Sequence, residues 1–274
     1  MTSFPLLQQN RLLAALPSDV AQRIEPHLEP VPLALGKVLY ESGDTPRHVY
    51  FPVESVVSML YTMRNGASVE IAKIGNEGLI GLSLFMSGQR PPSRAIVQSA
   101  GTAFRILGSR LKLEFDRHAD LMVLMLRYTQ ALITQMAQIA VCNRHHTIDQ
   151  QLCRWLLLSL DRLPTNQLIM TQELIANNLG VRREGVTEAA RKLQKLQVIE
   201  YSRGRIVVLD RARLEHLSCE CYAQVRDETE RLLPRPASYE AARAGVRAVV
   251  PVNPLPYPVP SAIAPSAWDR AVAA

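Results

Sequence analysis

No cysteine precedes Cys142 in this chain of 274 residues, and the four present, Cys142, Cys153, Cys219 and Cys221, follow no regular spacing. That distribution argues against a disulfide framework and leaves reduced thiols as the plain expectation. No run of about 18 apolar residues is available to cross a membrane. Met1-Thr2-Ser3-Phe4-Pro5 lacks the basic start and long apolar stretch of a secretory signal, so a cytoplasmic protein with no membrane partner is expected. Gly75-Asn76-Glu77-Gly78 is too short to be a phosphate-binding loop, and no nucleophile stands at a telling distance from a base. No catalytic site follows, hence no enzyme.

What is present is an ordinary soluble composition, with 47% hydrophobic and 20% charged residues, long enough for two cores. The net charge of +6 weakly favours an acidic partner such as nucleic acid. Residues 6 to 28 read as short amphipathic helices. From about 31 to 108, short apolar or alternating runs such as Val56-Val57-Ser58-Met59-Leu60-Tyr61 and Ala103-Phe104-Arg105-Ile106 are punctuated by turn residues. Asn65-Gly66 is the clearest hairpin signal, because both residues tolerate positive φ. Many short strands at that spacing imply a sandwich or barrel.

A long helical stretch follows, from about Arg110 to Asn143. Leu121, Met125, Tyr128, Leu132, Gln135, Ile139 and Cys142 recur at steps of four and three, a heptad seam with one polar member. Such a seam is expected to pack against a second copy of the chain. The alternative is burial against the protein's own barrel, although Leu124, Leu126 and Met136 offer another apolar face for that. A further helix spans about Thr147 to Leu163. After residue 233, prolines at 234, 236, 251, 254, 256, 258, 260 and 265 interrupt a tail from 234 to 274 that cannot build a core.

Residues 171 to 196 carry the most information. A helix-turn-helix needs a small residue where its helices cross, a glycine in the turn and apolar residues at fixed offsets. Ala176 is the small residue and Gly180 the turn. Ile175, Leu179, Val181, Val186 and Ala189 take the buried offsets, and Leu193 and Leu196 continue the stripe. Arg182, Arg183, Glu184, Thr187, Glu188 and Arg191 are then left for the face that would enter a major groove, the alternative being a merely solvated helix face. Thr171 can cap the first helix and meet a phosphate. Val198 to Leu209 reads as strand, turn and strand, a wing whose basic tip, Arg203 and Arg205, can follow the phosphate backbone. Between 143 and 213, twelve Lys and Arg stand against seven Asp and Glu, which places the positive excess beside the motif.

The order of barrel, long helix and winged helix-turn-helix resembles the Crp/Fnr family of bacterial transcription regulators over about residues 6 to 218. The barrel half is similar through Gly36-Lys37-Val38-Leu39-Tyr40-Glu41-Ser42-Gly43-Asp44 and Gly78-Leu79-Ile80-Gly81-Leu82-Ser83-Leu84-Phe85, and the DNA half through Thr171 to Ile199. The resemblance implies an α+β chain. A double-stranded β-helix (jelly-roll) sensor barrel at 6–117 would precede a dimerisation helix at 118–143 and a winged helix-turn-helix at 144–218. It implies a homodimer on double-stranded DNA with an inverted-repeat operator, and leaves RNA polymerase as a further partner.

Two departures concern the effector. Cyclic-nucleotide-binding members carry a Glu after the Gly-Phe/Leu-Ile-Gly turn and an Arg-Ser pair further on. Here Leu82 follows Gly81, and Pro92-Ser93-Arg94-Ala95 replaces the pair. Leucine cannot accept a ribose hydrogen bond, so cyclic AMP is not the expected signal, although Arg90 or Arg94 can still meet an anion. Gly81, Leu82, Ser83, Arg90 and Arg94 are the effector-pocket candidates. The iron–sulfur branch needs an N-terminal cysteine cluster, which is absent. In the reading helix, Glu188 stands where the family often has Arg, so a different DNA sequence should be read. His145-His146 point different ways on a helix, and His216, Cys219 and Cys221 make an incomplete ligand set, so no metal or other cofactor is expected. A cyclic-nucleotide-dependent regulator, or a ligand sensor whose helix-turn-helix contacts protein, are the competing readings.

Overall fold

The computed structural model describes residues 7–86, 90–236 and 239. Two short helices, α1 (Arg11–Ala14) and α2 (Ser18–Ile24), open the described chain. Asn10 anchors them: its side-chain oxygen accepts from the Leu12 and Leu13 amides, and its Nδ2 donates to the carbonyls of Pro52 (2.9 Å) and Gly78 (3.0 Å). A fully buried amide is tolerated there because each of its polar atoms has a partner.

Seven strands follow: β1 (Glu29–Leu33), β2 (Val38–Tyr40), β3 (His48–Pro52), β4 (Val56–Thr62), β5 (Ser68–Ile74), β6 (Arg94–Ser99) and β7 (Gly101–Leu107). They form two antiparallel sheets, in the orders β1-β7-β3 and β2-β6-β4-β5. The β4–β5 hairpin does turn in the region of Asn65-Gly66, but only Gly66 takes positive φ (+82°): its amide donates to the Met63 carbonyl at 3.0 Å, and the Asn65 side chain accepts from the Ala67 amide. Leu33, Tyr40, Val57, Ala72, Ile74, Val97 and Ala103 fill the space between the sheets. Val49, Phe51, Phe104 and Ile106 point the other way, under the N-terminal helices and the start of the long helix. This is the expected mixed α and β architecture, with two packed β-sheets in the N-terminal half.

The expected helical stretch from 110 onward is two helices. His118, with φ −123° and ψ 112°, separates α3 (Gly108–Arg117) from α4 (Ala119–His145). The seam on α4 requires a correction. Leu121, Met125, Tyr128, Leu132, Gln135, Ile139 and Cys142 are all buried within the single chain. Leu121, Met125 and Tyr128 join the cluster beneath the N-terminal helices, Leu132 enters the barrel core, and Cys142 packs on Cys219 and Cys221. The opposite face, which includes Leu126 at 57% exposure, is the one left open. The larger and more continuous apolar stripe goes to the barrel because the barrel offers the larger apolar surface to cover.

Gln135 explains itself in this arrangement. Strand β5 lies at an edge of its sheet, and the Gln135 amide closes that edge. Its oxygen accepts from the Lys73 amide (2.6 Å) and its Nε2 donates to the Lys73 carbonyl (3.3 Å). An edge strand covered in this way offers no free ladder to another chain.

The second half begins at α5 (Ile148–Leu160), whose N-cap Thr147 forms a capping box with Gln150. It continues through β8 (Gln167–Ile169), α6 (Gln172–Leu179), α7 (Arg183–Lys195), β9 (Ile199–Ser202), β10 (Arg205–Val208), α8 (Arg211–Leu217) and α9 (Glu220–Leu232). The three strands form one antiparallel sheet in the order β8-β10-β9. Helix α9, which the sequence reading left without structure, lies along α4, and Glu230 pairs with the buried Arg11 at 2.9 Å. Of the tail expected at 234–274, all but residues 234–236 and 239 lies outside the described residues.

The halves are joined by buried charge. Lys73 on β5 pairs with Glu70 at 3.7 Å, bonds Ser159 of α5, and sets its ammonium 3.6 Å from the Trp155 ring centroid. Nearby, Arg162 donates to Glu77 at 2.7 Å. Burial draws the Lys73 ammonium down to about 7, against the pull of Glu70. An unfolded chain with an ordinary lysine near 10.5 then holds more protons than the folded one between those two values. The destabilising contribution of this lysine is complete below pH 7 and is relieved as pH rises. Relative to Glu70→Gln/Lys73→Met, which removes both charges, the wild type should gain in unfolding temperature from about pH 7 to about pH 9. Parallel curves for the two proteins would show that Lys73 keeps its proton.

Candidate nucleic-acid interface

Thr171 caps α6, its Oγ1 accepting from the Leu174 amide at 3.2 Å. The helix ends at Gly180, whose φ of +68° only glycine adopts without strain. The Val181 amide returns to the Ala176 carbonyl at 3.0 Å, and α7 starts two residues later. Ile175, Ala176, Leu179, Val186, Ala189 and Leu193 are all buried and pack with α5, β10 and α8. Val181 is partly buried. Leu196 departs from the expected stripe: it is 38% exposed at the C-cap of α7, where the chain already turns away.

With those positions turned inward, Arg182, Arg183, Glu184, Glu188 and Arg191 are exposed. Thr187 is half-buried, its hydroxyl donating to Gln172 Oε1 (2.7 Å) or to the Arg183 carbonyl (3.0 Å). The face is not uniformly basic. Arg183 lies 3.9 Å from Glu173, and Lys192 lies 3.0 Å from Asp149 and 3.2 Å from Glu188. Such exposed pairs are worth about 0 to 1 kcal/mol and exchange readily for a stronger anion. Lys192 and Lys195 share this groove-like face with Glu184, Glu188 and Arg191 and were missed from sequence. Their spacing of four and seven from Glu188 was the available signal.

The wing is the β9–β10 hairpin. Arg203 at φ +50° and Gly204 at φ +79° form its two-residue tip, a turn that matches the twist of the strands. Arg203 is exposed, and Arg205 donates to Gln167 Oε1 of β8 at 2.7 Å. Helix α7 and the wing therefore share one core.

In the other half, a cavity of about 600 Å³ opens between the barrel and α4. Gly81, Leu82, Ser83 and Arg90 line it together with Leu132 and Met136 of α4. Gly81, at φ +106°, brings the turn against β3, where an added Cβ would lie 3.1 Å from the His48 carbonyl oxygen. Arg94 is not in the lining and instead faces Glu41 at 3.3 Å.

A third grouping was not foreseen. Cys142 and His146, at the end of α4, meet Cys219 and Cys221, at the start of α9. Sequence spacing puts His216 beside the two later cysteines, but the structure brings His146 and Cys142 to them instead. The Cys142 and Cys219 sulfurs are 3.5 Å apart, and the hydrogen bond between them holds the Cys219 thiol down to about 6 while pushing that of Cys142 up.

The Crp-like helix-turn-helix domain family matches residues 150–217, and the cyclic nucleotide-binding domain family matches residues 30–118. The fold is shared with a candidate transcriptional regulator of the Crp/Fnr family from Eubacterium rectale. The TM-score is 0.60 at 20% identity, over 76% of this chain and 98% of that one. The chain belongs to the Crp/Fnr family. The fold is also shared with FixK2 of Bradyrhizobium japonicum (TM-score 0.59, 17% identity, 70% of this chain and 98% of that one). The c-di-GMP responsive global regulator CLP of Xanthomonas campestris shares it as well (TM-score 0.55, 14% identity, 71% of this chain and 100% of that one). No curated protein matches the sequence. These identities carry the fold alone. Crp/Fnr regulators bind DNA and work as dimers, and this member has their helix-turn-helix DNA-binding domain. Among the described residues, no helix is long and apolar enough to cross a membrane.

Proposed function

We propose that this chain is a sequence-specific transcription regulator of the cytoplasm. As a homodimer it binds an inverted-repeat operator, with α7 in the major groove and the wing on the adjacent backbone. The observation that carries this reading is the division of α7. Val186, Ala189, Ala190 and Leu193 are consumed by the core, while Arg182, Arg183, Glu184, Glu188 and Arg191 are exposed to solvent. A helix that only filled space would not need a rigid basic hairpin beside it. In this reading the sensor unit covers 6–117, the dimerisation helix 118–143 and the DNA-binding unit 144–218.

The dimer seam is assigned to the open face of α4. Val123 (41% exposed), Leu126 (57%) and Ile133 (54%) fall in one heptad frame with the exposed Ala137 and Ala140. That apolar stripe on an otherwise satisfied helix fits a second copy of itself, with alanines allowing close approach at its C-terminal end. Ile133→Glu places a charge at the centre of the seam in both chains, and sedimentation should then show monomers that keep their helical content. A variant that remains dimeric would move the interface elsewhere.

Arg183 is placed to donate twice to a guanine edge and Glu184 to accept from cytosine. Thr171, Thr187 and Arg191 would hold the backbone and flanking positions, and Glu188 would reject wrong sites by repulsion. Arg183→Ala should weaken operator binding by about 1 to 3 kcal/mol and relax preference at one base pair per half-site. Arg203→Ala and Arg205→Ala should instead weaken specific and random DNA alike. Each should flatten the salt dependence by about one contact per chain. Mobility-shift titrations on selected and random duplexes distinguish these patterns. A uniform loss for all three would remove α7 from the groove, and no DNA binding at all would favour a helix-turn-helix that contacts protein.

The signal enters at the cavity beside α4. Leu82 stands where a ribose acceptor would be needed, and Arg90 is the one cation among the lining residues. Cyclic AMP should therefore not bind with micromolar or tighter Kd in a calorimetric titration. Such binding would restore the cyclic-nucleotide-dependent reading.

A further inference from the structure

Cys142 and His146 are one helical turn apart at the end of α4, so their side chains project from the same face. Cys219 and Cys221 flank Glu220 at the first turn of α9, which packs along α4. The three sulfurs and the imidazole converge so that all four ligand atoms lie within 4.8 Å of one another. That is the donor set and the compactness of a closed tetrahedral site for a thiophilic divalent cation. All three cysteines are buried, and no disulfide joins them.

Two features outside the four donors point to the same ligand. The first concerns the imidazole. His146 turns Nδ1 toward the Cys221 sulfur at 3.5 Å and Nε2 toward the Glu220 carboxylate at 3.3 Å. A metal-bound histidine is commonly held in this way, one nitrogen on the ion and the other donating to a carboxylate that fixes the tautomer. The second concerns charge. Three thiolates and a neutral imidazole around a divalent cation leave a net charge of −1. Arg154 of α5 is 3% exposed, and its Nε and Nη1 have no hydrogen-bond partner among the described residues. It lies within electrostatic reach of Cys142 and Cys221. A buried guanidinium with two unpartnered nitrogens is costly, and an anionic metal–thiolate centre within its electrostatic reach offsets part of that cost.

We propose that Cys142, His146, Cys219 and Cys221 form a metal site of the zinc class, with Glu220 positioning His146 and Arg154 balancing the charge. Cys142 and His146 straddle the start of the DNA-binding unit at 144–218, and Cys219 and Cys221 directly follow its end. A bound ion therefore ties the two ends of that unit to the last turn of α4. The assignment does not depend on the DNA-binding reading, because its readouts are spectroscopic and stoichiometric.

The test uses the full chain, purified reduced and stripped of metal, and titrated with Co²⁺ as a spectroscopic stand-in for Zn²⁺. One Co²⁺ per chain should bind, with the intense visible bands of a tetrahedral site and thiolate charge-transfer bands in the near ultraviolet. Zn²⁺ should then displace it stoichiometrically. Cys219→Ser and Cys221→Ser should weaken binding by roughly 100-fold or more. Glu220→Gln, a surface change that leaves the core intact, should weaken it about 10- to 100-fold. Cys153→Ser, which removes a buried thiol outside the cluster, should leave the spectrum and affinity unchanged. Absence of a stoichiometric tetrahedral spectrum would overturn the proposal. So would undiminished affinity in both Cys219→Ser and Cys221→Ser, or quantitative formation of a Cys142–Cys219 disulfide in preference to metal binding when both are offered.

Discussion

The structure turns on a glutamine that finishes a β-sheet. Gln135 hydrogen-bonds both backbone groups of Lys73 and thereby fixes α4 in register against the edge of the barrel. That pair of bonds is matched to the rotation of α4 that burial of its larger apolar stripe on the barrel sets. Leu121, Met125, Tyr128 and Leu132 must then face the chain's own core, while Val123, Leu126 and Ile133 must face away. A polar residue in an apolar seam is often a register device between two copies of a helix. Here it sets the register of helix against sheet, and the stripe for a second copy is a separate one.

The same lysine whose backbone meets Gln135 extends its side chain into the other half of the molecule. Its ammonium contacts Trp155 and Ser159 of α5, and the turn of the helix-turn-helix rests on the same strand, with Val69 beneath Gly180. Barrel strand, long helix and reading head thus share one buried polar junction. Leu132 and Met136, which line the cavity, flank Gln135 on α4. A ligand that displaces them acts on the helix that carries both the junction and the open stripe.

Much of this was legible in the residues. The helix-turn-helix could be read because seven positions in a short window each have only a few acceptable side chains, and Ala176, Gly180 and Val186 satisfied the strictest. The barrel could be read from punctuation, above all Asn65-Gly66, rather than from alternation, since its strands are buried on one face or both. The two seams of α4 could not be told apart, because Leu121-to-Cys142 and Val123-to-Ala140 both advance by three and four. Only the presence of the barrel decides which is covered. Helix α9 escaped notice because charged residues dominate it and its buried side is only Cys221, Tyr222 and Val225. The thiol and imidazole cluster was hidden for a different reason. Its two halves are 73 residues or more apart, and His216 stood closer in sequence to Cys219 than the histidine that meets it in space.

The central claim is that two copies of α7 read two half-sites on one face of DNA. Footprinting of the full-length protein on a duplex selected from random sequence, with dimethyl sulfate for guanine N7 in the major groove and hydroxyl radical for the sugar backbone, measures this most directly. The account predicts two protected major-groove segments related by a two-fold axis, centred about one helical turn apart, each flanked by backbone protection from the wing. A single protected segment, or uniform protection with no sequence enriched by selection, would contradict it.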